Sequence, residues 1–258
     1  MQGMMYTRGN PKVFDTWAAS GNDGWSYDDV MQYFLKAENN LNIDSVEQGY
    51  HGTHGPLVVQ HFPDHPPLSE AILEGGRQMG YNVGDLNGIN QTGFAIAQMM
   101  VADGLRGSTS RMYLRQALVQ NKNIDILINS QALRILIDNN NTATGLEYLD
   151  KHGTRKTVKV AKEVIASAGA IGSPHLLMLS GIGISDELQS VGISAIRDLP
   201  VGRNLRNHVS AGVEFFINDT SYETLNLDSL LEFVTNHNGP MSSTGVTQNT
   251  AFLTSSYA

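Results

Sequence analysis

Apolar residues recur at helical spacing near the start of the chain, where Val30, Tyr33 and Phe34 form a single stripe. Ser26 precedes this stripe and Asp29 follows three residues after Ser26, which is the pattern of a capping box. The spacing therefore predicts a helix that is capped by Ser26 and runs to about residue 38. Start signals and apolar periodicity predict further helices over residues 66–79, from residue 108 or 109 onward, and over residues 185–191 and 225–236.

The middle of the chain has a different pattern. From Asn123 onward, short runs rich in β-branched residues alternate with Asn and Gly turn signals. These runs predict consecutive antiparallel strands that lead into a final buried strand from Glu163 to Ala168. Separate strands are predicted over residues 55–60, 94–100 and 209–218, and from residue 249 onward. Strands and helices mixed in this way predict an α/β or α+β fold.

The stretch SAGAIGSPHLLMLSGIG, residues 167–183, places a run of small residues between the predicted strand and a short helix. Ser173 and Pro174 are typical of a helix start, and Gly181 is typical of a left-handed helix end. Small residues before a helix N-terminus leave bare backbone that a large ligand can approach, and the helix N–H groups favour phosphate. A glycine-rich turn packed tightly against neighbouring helices explains the same residues equally well.

Composition narrows the class of protein. The 258 residues are 41% hydrophobic and 16% charged, which is ordinary for a globular protein. The net charge of −8 disfavours nucleic acid and anionic membrane as partners, since both bind basic surfaces. The chain has no cysteine, which excludes disulfides and thiolate metal sites. No signal peptide is recognisable at the N-terminus, and the compartment stays open, secretion included.

The same stretch, in its portion GAIGSPHLLMLSGIG, resembles the second signature of the glucose–methanol–choline (GMC) family of FAD-dependent oxidoreductases. The matching positions are Gly169, Ala170, Ser173, Pro174, Leu176, Leu177, Ser180, Gly181, Ile182 and Gly183. Segments such as MMYTRGNPKVFDTWAASGNDGW, YHGTHGPLVV and DLPVGRNLRNH also resemble the family, in the same order along the chain. The chain is therefore similar to the middle of such an enzyme, in its insect glucose-dehydrogenase-like branch.

This resemblance implies a domain organisation. Residues 1–208 would form an FAD/NAD(P)-binding domain of the glutathione-reductase-like type, and residues 209–258 would begin a substrate-binding domain with an antiparallel sheet. The FAD domain would be incomplete, because the sequence contains no GxGxxG motif for a first βαβ unit. The family's C-terminal segment, which carries a His that faces the flavin, has no counterpart either. We therefore expect residues 1–258 alone to be inactive.

The resemblance also implies which residues contact FAD. They are Gln2, Gly3, Met4, Met5, Ala132, Ala168 and Gly169. The first four correspond to the family's Asn-x-Met segment beside the flavin, with Gln2 in place of the usual Asn. The strand end at Ala168 and Gly169 would run beside the cofactor. A backbone pairing with adenine falls on Ala132, or on Leu133 if the correspondence shifts by one residue.

The activity that the resemblance implies is oxidation of the CH–OH group of a small-molecule alcohol or sugar, with hydride transfer to FAD. The C-terminal His of a whole enzyme would take the hydroxyl proton. The resemblance leaves open whether the enzyme is a dehydrogenase or an oxidase. Two alternatives from other classes also stay open: an FAD-containing enzyme like the hydroxynitrile lyases, and a non-catalytic truncated paralogue.

Several histidines are candidates for chemistry. His51, His54, His61 and His65 lie close together in sequence, but zinc needs tetrahedral ligand geometry, and a surface loop is favoured over a metal site. His208, in NLRNH, corresponds to a family His near the approach to the flavin. A His that bonds to backbone at a domain junction is the favoured alternative. No catalytic residue and no metal ligand is therefore assigned within the chain.

Overall fold

A computed structural model describes residues 3–120, 123–218 and 225–255 of the chain. Its helices are α1 (Pro11–Ala19), α2 (Tyr27–Ala37), α3 (Pro67–Gln78), α4 (Arg115–Gln120), α5 (Gly169–Leu179), α6 (Ser185–Ser190) and α7 (Leu227–Asn236). A π-helical turn at Ser110–Leu114 leads into α4, and 3-10 turns lie at Ile43–Ser45, Pro240–Ser242 and Gly245–Gln248. None of the helices in these ranges is both long and apolar enough to cross a bilayer.

The strands form several small sheets. They are β1 (Glu38–Asn40), β2 (Leu57–Val59), β3 (Gly93–Ile96), β4 (Val101–Ala102), β5 (Leu105–Arg106), β6 (Gln131–Ile137), β7 (Ala143–Leu149), β8 (Arg155–Lys159), β9 (Ile182–Gly183), β10 (Arg197–Asp198) and β11 (Asn249–Phe252). Strands β1 and β2 pair in parallel, as do β9 and β10. Antiparallel pairs join β3 to β11 and β4 to β5, and β6, β7 and β8 form a three-stranded antiparallel sheet.

The chain packs as two compact units. The first comprises Met1–Ile124 and Phe216–Ala258, and the second comprises Asp125–Phe215. A buried apolar cluster at the centre of the first unit consists of Phe62, Ala97, Met99 and Val101. Because these units are defined by packing alone, the assignment of residues 1–208 to a cofactor domain and of residues 209–258 to a substrate domain stays a prediction.

Local signals in the first unit act as the sequence predicts. The Ser26 hydroxyl accepts from the Asp29 N–H at 3.2 Å, and the Asp29 carboxylate accepts from the Ser26 N–H at 3.2 Å. This capping box starts α2, and Lys36 in the last turn complements the negative end of the helix dipole. The prolines at the start of α3 are likewise where they were expected, with Pro67 as the first helical residue.

The second unit contains the predicted succession of antiparallel strands. Its hairpin turns are held by aspartates: Asp138 accepts from the N–H of Thr142, and Asp150 accepts from the N–H of Thr154, each at 2.9 Å. Helix α5 packs against β6. It ends where Gly181 adopts φ +86°, and a Cβ there would lie only 2.8 Å from the Ser194 carbonyl oxygen. Glycine is therefore required at this helix end for two separate reasons.

Two predicted strands are wrong. Residues 163–168 form no strand and pair with none in the described ranges, and Ile165 is 77% exposed. Residues 209–218 are also irregular and exposed, including Phe215 and Phe216. An apolar run can predict that a segment favours β structure, but a strand forms only where another strand supplies the ladder of hydrogen bonds. Neither segment has such a neighbour among the described residues.

The predicted start of α5 is also wrong. The helix is preceded by Ala168 rather than capped by Ser173, five residues earlier than predicted, so the small residues form its first turn. The Ser173 hydroxyl still satisfies a backbone donor, but from inside the helix, because it accepts from the Ala168 N–H at 3.0 Å. Pro174 lies inside the helix, where it lacks the N–H of an intrahelical hydrogen bond. Small side chains there leave the first turn of the helix exposed.

Candidate cofactor site

The N-terminal candidates lie in the first unit, apart from Gln2, which is outside the described residues. Gly3 is exposed, and nothing lies within 4 Å of where its Cβ would be. The carbonyl oxygen of Met4 accepts from the Met100 N–H at 2.7 Å, and Met5 forms an antiparallel bridge with Met99. Residues 3–5 therefore run along the chain segment that follows β3, with one end open.

Met4 has an unusual backbone conformation. Its φ is +62°, in the left-handed region, although its side chain packs against the buried cluster of the first unit. A non-glycine residue held in this region costs about 1–3 kcal/mol, and such strain persists only where the surroundings determine the backbone. Strain of this kind concentrates at ligand-binding sites. The conformation of Met4 therefore strengthens the case for residues 3–5 as a cofactor contact.

A buried ring of polar side chains lies just beyond this segment. Arg8 pairs with Glu38, whose other carboxylate oxygen accepts from His51 Nδ1 at 2.8 Å. His51 Nε2 donates to Asp85 at 2.7 Å. Asp85 also accepts from the side-chain amide of Gln98 at 2.7 Å. All of these side chains are buried or nearly so.

Asn87 closes the ring. Its Nδ2 donates to Gln98 Oε1 at 3.1 Å and to the Tyr6 carbonyl oxygen at 2.9 Å, and its Oδ1 accepts from the Arg8 N–H at 3.0 Å. We use the name buried ring below for the six residues Arg8, Glu38, His51, Asp85, Gln98 and Asn87. The sequence pattern around His51 favours a surface loop over a metal site and does not predict the buried ring, although Gln98 within the apolar run FAIAQMMV is a usable signal.

The charges of the buried ring alter one another's titration. Burial alone would raise the pKa of Asp85, but hydrogen bonds from His51 and from the backbone N–H groups of Glu47 and Asn87 lower this pKa to about 2. Burial would also raise the pKa of Glu38, and its hydrogen bond with His51 and the charge of Arg8 lower it instead. The pKa of His51 is raised, because its two carboxylate partners outweigh the effect of burial.

The second unit carries the other candidates at the start of α5. Gly169 has φ +87°, and nothing lies within 4 Å of where its Cβ would be. Ala168, Gly169 and the two residues that follow are exposed. The first N–H groups of an α-helix have no partner within the helix, and the helix dipole favours a negative charge beside them. The position therefore has open space, bare backbone and the polarity that suits a phosphate group.

Ala132 lies on β6, an edge strand of its sheet. The register of β6 against β7 shifts between Ala132 and Arg134, so Leu133 lies at a β-bulge. An edge strand presents backbone N–H and C=O groups that a ligand can bind, and one of those on β6, the Ile135 N–H, donates to the Ser180 hydroxyl at 2.8 Å. Because α5 packs against β6, Ala132 and Gly169 lie on neighbouring elements.

The remaining histidines are dispersed. His54 and His208 are exposed, and the His208 N–H donates to the side chain of the neighbouring Asn207 at 2.9 Å. His65 Nδ1 lies 2.6 Å from the buried side chain of Gln248. Within the described ranges no group of His, Asp and Glu side chains could hold a metal ion. His51 is therefore the histidine with the most specific environment, and its environment is the buried ring.

Known proteins resemble the chain over its whole length. A profile of the GMC oxidoreductase family matches residues 1–210. Glucose dehydrogenase [FAD, quinone] from Drosophila melanogaster is 46% identical over 260 residues, which are 100% of this chain and 41% of that protein. Oxygen-dependent choline dehydrogenase from Sinorhizobium medicae is 40% identical over 90% of this chain and 40% of its own length.

A solved structure also resembles this chain. Pyridoxine 4-oxidase from Mesorbium loti superposes with a TM-score of 0.69 and 32% identity, over 77% of this chain and 38% of that one. The chain spans about two fifths of the length of these relatives.

The chain belongs to the GMC oxidoreductase family. The proteins of this family are FAD-dependent, and the mixture of helices and strands described above is the α/β type of their FAD-binding domain. Within each unit the residues present fit such a cofactor: Gly3 in the first unit and Gly169 in the second leave open space where a side chain would stand, and Met4 in the first unit holds a strained backbone. The start of α5 adds N–H groups that suit a phosphate.

Proposed function

We propose that this chain forms part of an FAD-dependent oxidoreductase that oxidises the CH–OH group of a small-molecule alcohol or sugar. The observation that carries the proposal is the start of α5. The family's signature begins there on a glycine at φ +87°, and the space around it is open. When bound, FAD would accept the hydride from the carbinol carbon, and the protein would bind and orient both molecules.

Each candidate residue would have its own part in holding the cofactor. The Gly169 N–H would contact its phosphate-bearing portion, since a helix N-terminus attracts negative charge. The backbone of Ala168, whose own N–H donates to the Ser173 hydroxyl, would lie beside it. The backbone of Gly3, Met4 and Met5 would lie against the flavin, as in the family segment that it resembles. The edge of β6 at Ala132 would supply backbone hydrogen bonds to adenine.

The substrate class follows from the names of the relatives. Glucose and choline, which give two of those relatives their names, both carry an alcohol group. We therefore assign a primary or sugar alcohol as the substrate class. Dehydrogenase and oxidase activity are both compatible with the residues of this chain, and the experiment below distinguishes them by the electron acceptor.

The test uses the full-length protein purified with FAD. Under anaerobic conditions, a panel of primary alcohols and sugars is added while the visible flavin absorbance is followed. We expect at least one of them to bleach the flavin, and a dye or oxygen to restore the colour. Comparing restoration by dye and by air then separates a dehydrogenase from an oxidase.

A control substrate tests the alternative that the protein is a lyase like the hydroxynitrile lyases. A cyanohydrin is incubated with the same preparation, and released cyanide is measured. A flavin that no alcohol or sugar reduces, together with cyanohydrin cleavage, would contradict the proposal and support a lyase. A protein that retains no FAD would contradict it as well.

A further inference from the structure

The buried ring draws its six residues from separate segments of the first unit. Glu38 lies on β1, His51 and Asp85 lie in loops, and Gln98 follows β3. Glu38 accepts four hydrogen bonds, from His51, Arg8, Asn40 and the Gly52 N–H. Both carboxylate oxygens of Glu38 therefore accept hydrogen bonds from donors of the protein.

Asp85 is satisfied in the same way. One of its oxygens accepts from His51 and from the Glu47 N–H at 3.0 Å, and the other accepts from Gln98 and from the Asn87 N–H at 2.9 Å. With His51 protonated, the two cationic and two anionic side chains balance. A fully satisfied polar network of this kind rigidifies the backbone around it, whereas its net contribution to stability compared with an apolar core is often near zero.

The backbone that the buried ring holds is that of residues 6–8. Asn87 accepts from the Arg8 N–H and donates to the Tyr6 carbonyl oxygen. The Tyr6 N–H in turn donates to the carbonyl oxygen of Gln98, itself a ring member, at 2.7 Å. The hydroxyl of Tyr6 accepts from Arg8 Nε at 3.2 Å. Tyr6 is therefore fixed at its N–H, its carbonyl oxygen and its side chain.

The strained residue lies two positions before Tyr6. Met4 is fixed at its carbonyl oxygen by the Met100 N–H, and Tyr6, two residues further on, is fixed by the buried ring. A strained conformation persists only where the surrounding structure determines the backbone, because otherwise the chain relaxes to a commoner one. The ring supplies part of that support on the C-terminal side of Met4.

We propose that the buried ring is a positioning device that holds the backbone of Met4 and Met5 in the conformation that contacts the flavin. The six residues of the ring are thus positioning residues, which act on the cofactor through Tyr6 without touching it. The proposal rests on the proposed binding of FAD by this segment. A purely structural role would instead predict that the ring affects only the stability of the fold.

The test compares Asn87→Asp with Asn22→Asp in the full-length holoprotein. Asn87→Asp keeps an acceptor for the Arg8 N–H but removes the donors to Tyr6 and Gln98. Asn22 likewise donates to a backbone carbonyl oxygen, that of Trp17, at 2.9 Å, but it is exposed and outside the ring. The measurements are the dissociation constant for FAD, the flavin visible spectrum and midpoint potential, and the unfolding midpoint of the apoprotein.

We expect Asn87→Asp to weaken FAD binding by about tenfold or more and to shift the spectrum or potential of the remaining bound flavin. Asn22→Asp should change neither. Tyr6→Phe removes only the hydroxyl that accepts from Arg8. This milder variant provides the same test if Asn87→Asp does not fold. Tyr6→Phe should weaken FAD binding by about threefold, for the loss of one modest hydrogen bond.

One result would contradict the positioning role of the ring, and a different result would contradict the proposed function. Variants of the ring that lower the unfolding midpoint but leave the FAD affinity, spectrum and potential unchanged would overturn the positioning role. A wild-type protein that binds no FAD would instead overturn the proposed function, and that result is seen before any variant is made.

Discussion

His51 Nε2 lies 2.7 Å from Asp85 Oδ2, where the side chain of His51 is fully buried and that of Asp85 nearly so. The other ring nitrogen of His51 donates to Glu38, so one imidazole joins two carboxylates. This arrangement couples the stability of the first unit to protonation.

The dependence on pH has a definite sign. The pKa of His51 is raised in the folded protein, so its contribution is complete below its ordinary value of 6.5 and is lost as the pH rises through the folded pKa. The pKa of Asp85 falls from 3.8 to about 2, so its contribution, about 2 kcal/mol, is present above pH 4 and is lost as the pH falls towards 2. We expect greatest stability between about pH 4 and 6.5 from these groups.

Thermal unfolding midpoints measured against pH provide the test. His51→Gln should flatten the alkaline side of the profile, and His54→Gln, at an exposed position, should leave it unchanged. Burial lowers the pKa of His61, which acts in the opposite sense, so the informative quantity is the difference between wild type and His51→Gln. Identical alkaline slopes for these two proteins would contradict the expectation.

Adjacent glycines in α3 should respond in opposite ways to the same change. A Cβ on Gly76 would lie 2.9 Å from ring atoms of Phe94, whereas nothing lies within 4 Å of one on Gly75. Gly76→Ala should therefore destabilise the protein by about 1–3 kcal/mol through overpacking. Gly75→Ala should stabilise it by up to about 1 kcal/mol through helix propensity. Urea unfolding of both variants checks this, and equal effects would show that Phe94 moves aside without cost.

Ser180, within the family signature, has a structural role in the second unit. Its buried hydroxyl accepts from the Ile135 N–H at 2.8 Å and donates to the Leu176 carbonyl oxygen at 2.6 Å. Ser180→Ala should cost about 1–3 kcal/mol in unfolding free energy, since it leaves a buried N–H without a partner. The matched control is Ser190→Ala, which removes an exposed hydroxyl that donates to the Glu187 carbonyl oxygen. A loss no larger than that of the control would indicate that water replaces the hydroxyl.

Local chemistry accounts for what could be predicted from the sequence. The capping box of Ser26 and the left-handed end at Gly181 depend on a few neighbouring residues, and both were predicted correctly. Residues 163–168 were predicted wrongly because a strand depends on a partner elsewhere. Gln98 was a local signal of a buried polar group, but its partners in the buried ring could not be predicted, since Arg8 and Asn87 are 79 positions apart and meet only through the fold.

The proposed binding of FAD at the start of α5 is tested most directly at Gly169. Gly169 and Gly192 both have positive φ, +87° and +77°, and neither has an atom within 4 Å of where a Cβ would be. A side chain therefore meets the same backbone strain at both positions, about 1–2 kcal/mol. The two sites differ in that only Gly169 lies in the proposed cofactor site.

The measurement is the ratio of flavin absorbance to protein in full-length Gly169→Val and Gly192→Val, each purified and incubated with FAD. We predict similar unfolding midpoints for the two apoproteins, a wild-type flavin content for Gly192→Val, and a colourless Gly169→Val, because its side chain would project into the space of the cofactor. A Gly169→Val protein with the flavin content of wild type would contradict the placement of FAD at this helix.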